Sequence, residues 1–317
     1  METTSSNSLT FKHISSATDE IVSYIDSRRK GIAKSLKTKW NKFNNTCNGG
    51  LEPNIVMAVA GISGAGKSAF VNSLETDLFD LNPDIDFVVL SFSLEMLSSK
   101  VVGRKLSYKL KKTTSELYTA ENTLSDYDFN RVLYESKEIR NYPIYYVDNP
   151  GTVIEIRNTI NVFRELVSKD RWLVIILDHT LLLKPNPGQG ERETIVELQR
   201  LFIEQKKIGL TTIVQLSQLN REIESVERIN NPQLHFPQRR DLSSSDSVYQ
   251  ACDYVLILHR PEILGIKDHM YGPNRWPTTN MIYLHLLKVR DGEPKILSFT
   301  NNLKYNSIEE YTPITNQ

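Results

Sequence analysis

The octapeptide GISGAGKS, residues 61 to 68, constrains the fold of this 317-residue chain more than any other segment. It follows the apolar run IVMAVA and precedes AFVNSL, where apolar residues recur at helical spacing. Gly61, Gly66, Lys67 and Ser68 match every fixed position of the pattern G-x-x-x-x-G-K-[ST]. Backbone N–H groups of such a loop surround phosphate oxygens, and the next helix turns its positive end toward the same anion. An ordinary glycine turn is the alternative, but the flanking pattern predicts a loop that binds a nucleoside triphosphate.

Six short apolar runs alternate with helical segments from residue 55 onward. They are IVMAVA (55–60), FVVLSF (87–92), IYYV (144–147), LVIIL (173–177), TIVQL (212–216) and YVLIL (254–258). Such continuous apolar strands are typical of a parallel sheet that is covered on both faces. Two later runs, MIYLHLL (281–287) and KILSF (295–299), flank the turn DGEP and predict a hairpin at the sheet edge. The pattern predicts an α/β fold with a doubly wound, mostly parallel sheet.

Composition excludes several other classes of protein. The chain carries 38 basic and 38 acidic side chains, so it is not expected to coat nucleic acid by bulk charge, although a local basic channel is compatible. Cys47 and Cys252 are far apart and lack CxxC partners, which predicts neither a disulfide nor a zinc site. No apolar run approaches the ~18 residues of a membrane span. We therefore expect a soluble, cytoplasmic protein without a membrane partner.

Polar side chains follow three of the predicted strands. Glu95 stands in SFSLEM, Asp178 ends LVIILD, and Gln218 stands in TIVQLSQLNR. The carboxyl ends of parallel strands meet at one edge of a sheet, where ligands bind. Each residue alone is also compatible with a solvated loop. Beside a phosphate-binding loop, the three together predict one shared site.

Eight segments, taken in order, resemble the C-terminal ATPase domain of bacterial DnaB-type replicative helicases, which belong to superfamily 4. They span roughly residues 45 to 305 and are GGLEPN, GISGAGKS, SFSLEM, YVDNPGTVIEIR, LDHTLLL, VQLSQLNREIE, RRDLSSSDSVYQACDYVLILHR and LKVRDG. The resemblance implies a RecA-like fold in a homo-hexameric ring that hydrolyses ATP with Mg²⁺ and unwinds duplex while moving 5′ to 3′ on single-stranded DNA. About 50 residues precede the loop, too few for the family's N-terminal domain, so we expect a compact, phage-like form.

Two other functions stay open at this point. One is a RecA-like regulatory or recombination ATPase that depends on DNA without separating strands, which the serine-rich stretch after Leu242 modestly favours. The other is an accessory ring or loader without efficient turnover, which the intact Lys67 and Glu95 disfavour. No residue identifies the primase or loader that such a protein would meet.

The resemblance also implies roles in the nucleotide site. Ser68 and Asp178 hold Mg²⁺, Lys67 reaches the β- and γ-phosphates, Glu95 polarises the attacking water, and Gln218 senses the γ-phosphate. The residues expected to contact the nucleotide are Gly61, Ser63, Gly64, Ala65, Gly66, Lys67, Ser68 and Arg104. His179 follows Asp178 where the family has an aromatic residue, and we expect it to pack or hydrogen-bond.

The segment LKVRDG places two cations, Lys288 and Arg290, at the end of a predicted strand. Being two residues apart, they project to the same face, which is costly unless an anion lies between them. In the family these residues reach the γ-phosphate bound by the neighbouring subunit, and an arginine supplied in this way is worth about 10³–10⁵ in rate. A surface pair on an edge strand is the alternative.

Two loops are expected to contact DNA. The first, LLLKPNPGQGERE, contains Lys184, and the second lies between Gln218 and Tyr254. In the second loop the family usually reads Asp-Leu-Arg-Glu-Ser-Gly, whereas here Asp-Leu is followed by three serines and an aspartate. Hydroxyl and backbone N–H groups still bind phosphate without charge. The candidate contacts in this loop are Arg239, Arg240, Ser243 and Ser244, with a solvated arginine pair as the alternative.

The sequence predicts four regions. They are a flexible N-terminus (1–15), a linker helix and basic segment (16–50), the RecA-like ATPase domain (51–305) and a C-terminal tail (306–317). Ile21, Val22 and Ile25 share one face of the linker helix, which is expected to begin at Ser16. A second basic run, KVVGRKLSYKLKK (100–112), predicts a solvated helix face or, alternatively, a contact with DNA or a partner.

Overall fold

The computed structural model describes residues 11–243, 245–267, 269–271 and 274–312. The chain divides into two units, Met1–Ser35 and Leu36–Gln317. The first unit contains helix α1 (Ile14–Arg29), which begins two residues before the predicted start because His13 provides the N-cap. Its ring accepts a hydrogen bond from the Ser15 backbone N–H at 3.2 Å. The predicted apolar face of this helix is exposed.

A nine-stranded sheet forms the second unit. Its strands are β1 (Ile55–Gly61), β2 (Phe87–Ser93), β3 (Ile144–Val147), β4 (Trp172–Asp178), β5 (Thr211–Gln218), β6 (Tyr254–His259), β9 (Met281–Val289), β10 (Lys295–Asn302) and β11 (Ser307–Glu310). A separate ribbon pairs β7 (His269–Tyr271) with β8 (Asn274–Trp276). The sheet order is β11-β10-β9-β6-β1-β5-β4-β2-β3. The first six strands are parallel and β9 to β11 are antiparallel at one edge, which confirms the predicted fold class and edge hairpin.

One helix of this unit precedes β1, and the others connect the parallel strands in chain order. The helices are α2 (Asn41–Thr46), α3 (Lys67–Leu81), α4 (Ser98–Leu110), α5 (Thr114–Tyr118), α6 (Asp126–Ile139), α7 (Val153–Phe163), α8 (Glu191–Gln205), α9 (Val226–Asn230) and α10 (Ser245–Ala251). Every residue of β1, β2 and β6 is buried, as expected for parallel strands with both faces covered. Among the described residues, none of these helices combines the length and apolarity that crossing a bilayer requires.

The ATPase unit begins earlier than the predicted boundary at residue 51. Leu36 pairs with Leu51 in an antiparallel bridge, and both side chains are buried. Trp40 is also buried and stacks on Phe70 of α3, with 4.5 Å between ring centroids. The basic residues around them hid this apolar pattern, so residues 36–50 belong to the core rather than to a linker.

The predicted C-terminal tail also contains part of the sheet. Strand β11 pairs with β10, and Ile308 is fully buried. The carbonyl oxygen of Ile308 accepts a hydrogen bond from Trp40 Nε1 at 3.2 Å. Both ends of the unit are therefore fastened together, whereas residues 313–317 lie outside the described part of the chain.

The second basic run is not a simple solvated face. Lys105 is fully buried in α4, and its Nζ lies 2.5 Å from Glu75 Oε2 of α3. Lys109 pairs with Asp80 at 2.9 Å on the outer side of the same helix. The prediction of solvated lysines is wrong at Lys105, because an acidic partner on another helix compensates the charge.

Four buried histidines gather between the end of β6 and the ribbon. They are His235, His259, His269 and His285, with neighbouring ring centroids 5.2 to 6.0 Å apart. Five of their ring nitrogens have no hydrogen-bond partner among the described residues. Burial lowers the pKa of His269 to about 4 and that of His285 to about 3, and it holds the pKa of His259 well below its ordinary value.

We expect this cluster to make the fold sensitive to acid. The unfolded chain binds protons on His259, His269 and His285 near pH 6.5, whereas burial in the folded chain keeps these three rings neutral. Their contribution to stability is therefore complete above about pH 6.5 and is lost as the pH falls toward 4. Urea unfolding at several pH values should give a flatter dependence for His285→Gln than for a variant of the exposed His13, and equal slopes would contradict this account.

Candidate nucleotide-binding site

The phosphate-binding loop joins β1 to α3 and depends on glycine at two of its turns. Gly64 and Gly66 have φ angles of 76° and 105°, a region that other residues rarely adopt. A Cβ atom on Gly66 would also lie 3.0 Å from Leu303 Cδ2. On Gly61 a Cβ would lie 2.9 Å from the carbonyl oxygen of Leu258. The backbone therefore approaches its neighbours, and any bound anion, more closely than other residues allow.

Lys67 begins α3 with its ammonium group inside the loop. Its Nζ donates hydrogen bonds to the carbonyl oxygens of Gly61 at 2.7 Å and Ile62 at 3.0 Å. Burial lowers the pKa of Lys67, while Asp178 and Glu95 act in the opposite direction. The ammonium therefore sits among loop carbonyls with two carboxylates in range.

One cavity of about 240 Å³ collects most of the predicted site residues. The register of the sheet explains this convergence: Gly61 lies opposite Gln218 across β1 and β5, and Ser93 lies opposite Asp178 across β2 and β4. Equivalent strand ends meet at one edge, as the sequence predicted. Gly61 and Ala65 are buried beneath the loop and do not line the cavity. The predicted residues that line it are Ser63, Gly64, Gly66, Lys67, Ser68, Glu95, Arg104, Asp178 and Gln218.

The electrostatics of the cavity favour an added cation. Burial and then the proximity of Glu95 raise the pKa of Asp178 to about 6, although Arg104 and Lys67 lower it. Mg²⁺ is commonly held by one or two carboxylates, a hydroxyl and substrate phosphates. The donor set of Asp178 and Ser68 fits that ion.

Residues that the sequence did not assign to the nucleotide also line the cavity. His179 is buried after a cis peptide bond from Asp178, and its Nδ1 accepts a hydrogen bond from the Leu181 backbone N–H at 3.2 Å, in agreement with a hydrogen-bonding role. Leu303 and Asn306 come from the turn between β10 and β11. No local motif marks them, since only the folded sheet brings this turn to the loop.

Lys288, in β9, and Arg290, just after it, lie at the opposite end of the parallel strands from the phosphate loop. Arg290 Nε is 2.5 Å from Asp253 Oδ1, and the other oxygen of Asp253 accepts a hydrogen bond from the Val56 backbone N–H at 2.8 Å. Val56 is near the start of β1 and Gly61 ends it, so the stretch between them, about 16–17 Å, separates Arg290 from the phosphate loop of its own chain, while Lys288 Nζ is bound to the carbonyl oxygen of Tyr249 on α10. Lys288 and Arg290 are therefore outside the reach of a nucleotide in the same chain.

A buried ion pair organises the second predicted DNA loop. Arg228 of α9 makes two bonds to the Asp241 carboxylate, at 2.5 and 3.0 Å, and both side chains are buried. Its guanidinium also donates to the carbonyl oxygen of Phe236 at 2.7 Å. Sequence reasoning missed Arg228, which no pattern connects to Asp241. The pair fixes the path of the backbone on both sides of the turn.

The predicted DNA contacts lie on exposed loops. Arg239 pairs with Asp246 at 2.6 Å, and Arg240 lies 3.9 Å from Glu222. Ser243 N–H donates to the carbonyl oxygen of Gln218 at 3.0 Å, which joins this loop to the nucleotide cavity. Lys184 is exposed on the first loop. Ser244 lies outside the described residues.

Comparison with known proteins agrees with this geometry. Residues 35–310 match the family described as the DnaB-like helicase C terminal domain. The replicative DNA helicase DnaB of Mycobacterium leprae is 31% identical over 215 residues, which are 67% of this chain and 32% of that protein. DnaB of Mycoplasma genitalium is 30% identical over 216 residues, 67% of this chain and 43% of that protein. The chain thus spans less than half the length of these two relatives.

Two solved structures share the fold. One is an ATPase domain with a TM-score of 0.76 and 20% identity, and the match covers 93% of this chain and 98% of that domain. The other is a DnaB-like replicative helicase, described with its interactions with primase, which has a TM-score of 0.76 and 19% identity and is matched over 93% of this chain and 66% of its own. These two matches confirm the predicted α/β fold, and the family match over residues 35–310 confirms the resemblance that the eight segments carry.

Replacing Gly66 by alanine should weaken nucleotide binding. The loop of the free variant would relax to escape a strain of about 1–2 kcal/mol, and binding would have to restore the strained conformation, which corresponds to a loss of about five- to thirtyfold in affinity. Gly265 is a matched control, because its φ is 69° and an added Cβ would have no described atom within 4 Å. Titration with a fluorescent ATP analogue should separate the two variants, and equal affinities would argue against the loop as the phosphate site.

Proposed function

The chain belongs to the family of DnaB-like helicase C-terminal domains, and from this membership we propose that it is an ATP-dependent DNA helicase that works as a ring, a homo-hexamer on single-stranded DNA. One observation carries the proposal. The nucleotide cavity lies at one edge of the sheet, and the cations Lys288 and Arg290 lie at the other edge, beyond the reach of their own cavity. Copies arranged head to tail would bring the pair of one copy to the cavity of the next.

Hydrolysis would use residues of both copies. Lys67 and the loop N–H groups bind the phosphates, Arg104 contacts the nucleotide, and Glu95 polarises the water that attacks the γ-phosphorus. Mg²⁺, held through Ser68 and Asp178, supplies charge neutralisation when it is bound.

The neighbour contributes the remaining positive charge. Burial and then Arg290 lower the pKa of Lys288, so its charged form gains most from a nearby anion. The γ-phosphate of the next copy is such an anion. Because each cavity would need cations from a neighbouring copy, ATP turnover would depend on ring assembly.

The pocket and the DNA loops are linked through Gln218. Its side chain lines the cavity, and its carbonyl oxygen accepts the Ser243 N–H bond. A change at the γ-phosphate can therefore move the second loop, where Arg239, Arg240 and Ser243 would contact the DNA strand, together with Lys184 of the first loop. We infer 5′-to-3′ movement from family membership.

The N-terminal helix would join the ring. Ile21, Val22 and Ile25 of α1 are each more than half exposed, and a helix with such a face gains stability by docking on an adjacent copy. A primase or loader would be a further partner.

The second candidate is a RecA-like regulatory ATPase that separates no strands. The serine-rich stretch favours it, since this loop lacks the family's arginine and would contact phosphate with less charge. The segment SFSLEM and the pair Lys288 and Arg290 disfavour it.

A mixing experiment tests the shared site. Arg290→Ala should lower ATP turnover by about 10³–10⁵, and Glu95→Gln should abolish turnover while nucleotide binding is preserved. Mixed rings of the two variants should regain activity, because some interfaces then combine an intact Glu95 with an intact Arg290. As a control, Glu95→Gln mixed with Lys67→Ala should stay inactive, since every cavity carries one lesion. No rescue in the first mixture would contradict a site completed by the neighbour.

Strand displacement tests the helicase activity itself. A forked duplex with a free 5′ single-stranded tail should be opened in the presence of ATP, and the same duplex without tails should not. Glu95→Gln should open neither substrate. ATP turnover that single-stranded DNA stimulates, with no opening at any salt concentration, would favour the regulatory ATPase.

A further inference from the structure

One aromatic ring contacts both the second predicted DNA loop and the cationic pair proposed to reach the neighbour's nucleotide. Tyr249 of α10 is half-buried and has a cation over its ring from each side of the site. Arg239 Cζ, from the second DNA loop, lies 4.4 Å from the ring centroid. Lys288 Nζ, from the pair that would serve the neighbour, lies 5.1 Å from the same centroid. Neither the nucleotide cavity nor the resemblance accounts for this residue.

Lys288 is bound to α10 by more than the ring. Its Nζ donates to the carbonyl oxygen of Tyr249 at 2.7 Å and reaches that of Gln250 at 3.5 Å. These carbonyls belong to the last turn of α10, where a positive charge is favourable. An ammonium that engages a neighbour's phosphate has to give up these partners. In the proposed ring Lys288 would therefore exchange its observed position on α10 for one on the neighbour's phosphate.

Arg239 is held on the other side by two contacts. Its guanidinium lies over the Tyr249 ring and its Nη2 is 2.6 Å from Asp246 Oδ1, in the first turn of the same helix. The short turn Arg239–Asp241 ends at Asp241, whose carboxylate forms the buried ion pair with Arg228. The position of Arg239 over the ring thus sets the outer part of a loop whose base is rigid.

Two cations that share one ring oppose each other. Each is attracted by the negative face of the ring, but each is repelled by the other's charge. When Lys288 leaves for a phosphate, the ring is left to Arg239 alone, and the loop is held more firmly. Tyr249 can therefore convert the neighbour's nucleotide state into the order of the DNA loop.

We propose that Tyr249 is a positioning residue that couples the nucleotide bound by the neighbouring copy to the DNA grip of its own copy. The inference rests on the proposed function. It adds a route between copies to the route through Gln218 and Ser243, which operates within one copy. A nucleoside triphosphate bound by the neighbouring copy raises the affinity of this copy for single-stranded DNA, and hydrolysis or release of that triphosphate lowers the affinity again.

The test compares variants that keep or remove the aromatic ring. Tyr249→Phe keeps the ring and loses only a weak hydroxyl contact to the carbonyl oxygen of Leu287 at 3.5 Å. Tyr249→Leu removes the ring, and Tyr249→Met does so with an unbranched side chain. The measurement is the affinity for a fluorescent oligothymidylate in the presence of a non-hydrolysable ATP analogue and in the presence of ADP, together with ring assembly and ATP turnover without DNA.

We expect the ratio of the two DNA affinities to fall by about two- to fivefold in Tyr249→Leu and Tyr249→Met, the size of one cation–π contact. Tyr249→Phe should keep the wild-type ratio and the wild-type turnover without DNA, since it retains the ring that faces Lys288. An unchanged ratio in the ring-free variants would overturn the coupling while leaving the helicase proposal intact. Failure of both ring-free variants to fold would assign the ring to the fold alone and would also overturn it.

A different result would refute the underlying function instead. If the wild-type protein bound no oligothymidylate with either nucleotide, the proposal of a DNA-translocating ring would fail before the variants were compared. Binding of the oligothymidylate by the wild-type protein therefore tests the proposed function. The change in the ratio of the two DNA affinities when the ring is removed tests the role of Tyr249.

Discussion

The alignment of parallel strand ends is the constraint on which the whole structure depends. Because Gly61 is level with Gln218 and Ser93 is level with Asp178, the loop, the carboxylates and the amide have to meet. The same alignment has a second effect. A strand that delivers its end to the nucleotide leaves its start at the far edge, and the antiparallel β9 returns its own end there with Arg290. The direction of the backbone alone therefore separates the phosphate loop from the cationic pair.

Much of this site could be predicted because its signals are local. Each of these signals lies within about ten consecutive residues. They are the octapeptide, the apolar runs and the polar residues that follow those runs. The parts that escaped prediction depend on distant partners. Lys105 looked solvated until Glu75 supplied its counter-charge, and Trp40 looked like part of a linker until Phe70 covered it. The turn at Leu303 and Asn306 carries no motif, and it reaches the cavity only because β10 and β11 complete the sheet.

The second loop combines a rigid base with an adjustable rim. Arg228 and Asp241 form a buried pair that is costly to break, so the base keeps its shape while nucleotides come and go. The rim is different, since Arg239 is held by an exposed carboxylate and an aromatic face, and such contacts are weak and easily exchanged. The loop thus keeps a positive charge at its exposed rim, where Arg239 can move, and stays fixed at its base, where movement would break the buried pair.

Asp253 makes the departure of Arg290 less costly than its burial suggests. This carboxylate is almost completely shielded from water, yet it has two counter-ions, because Lys206 Nζ lies 2.7 Å from it in addition to Arg290. A lone buried anion would resist the withdrawal of its only partner. Lys206, at the end of α8, would still neutralise Asp253 if Arg290 moved away. The Asp253 carboxylate that contacts the start of β1 would then not be left as an unpaired buried charge. This end of the sheet could therefore release and rebind Arg290 repeatedly, as the proposed exchange between copies in a ring would require.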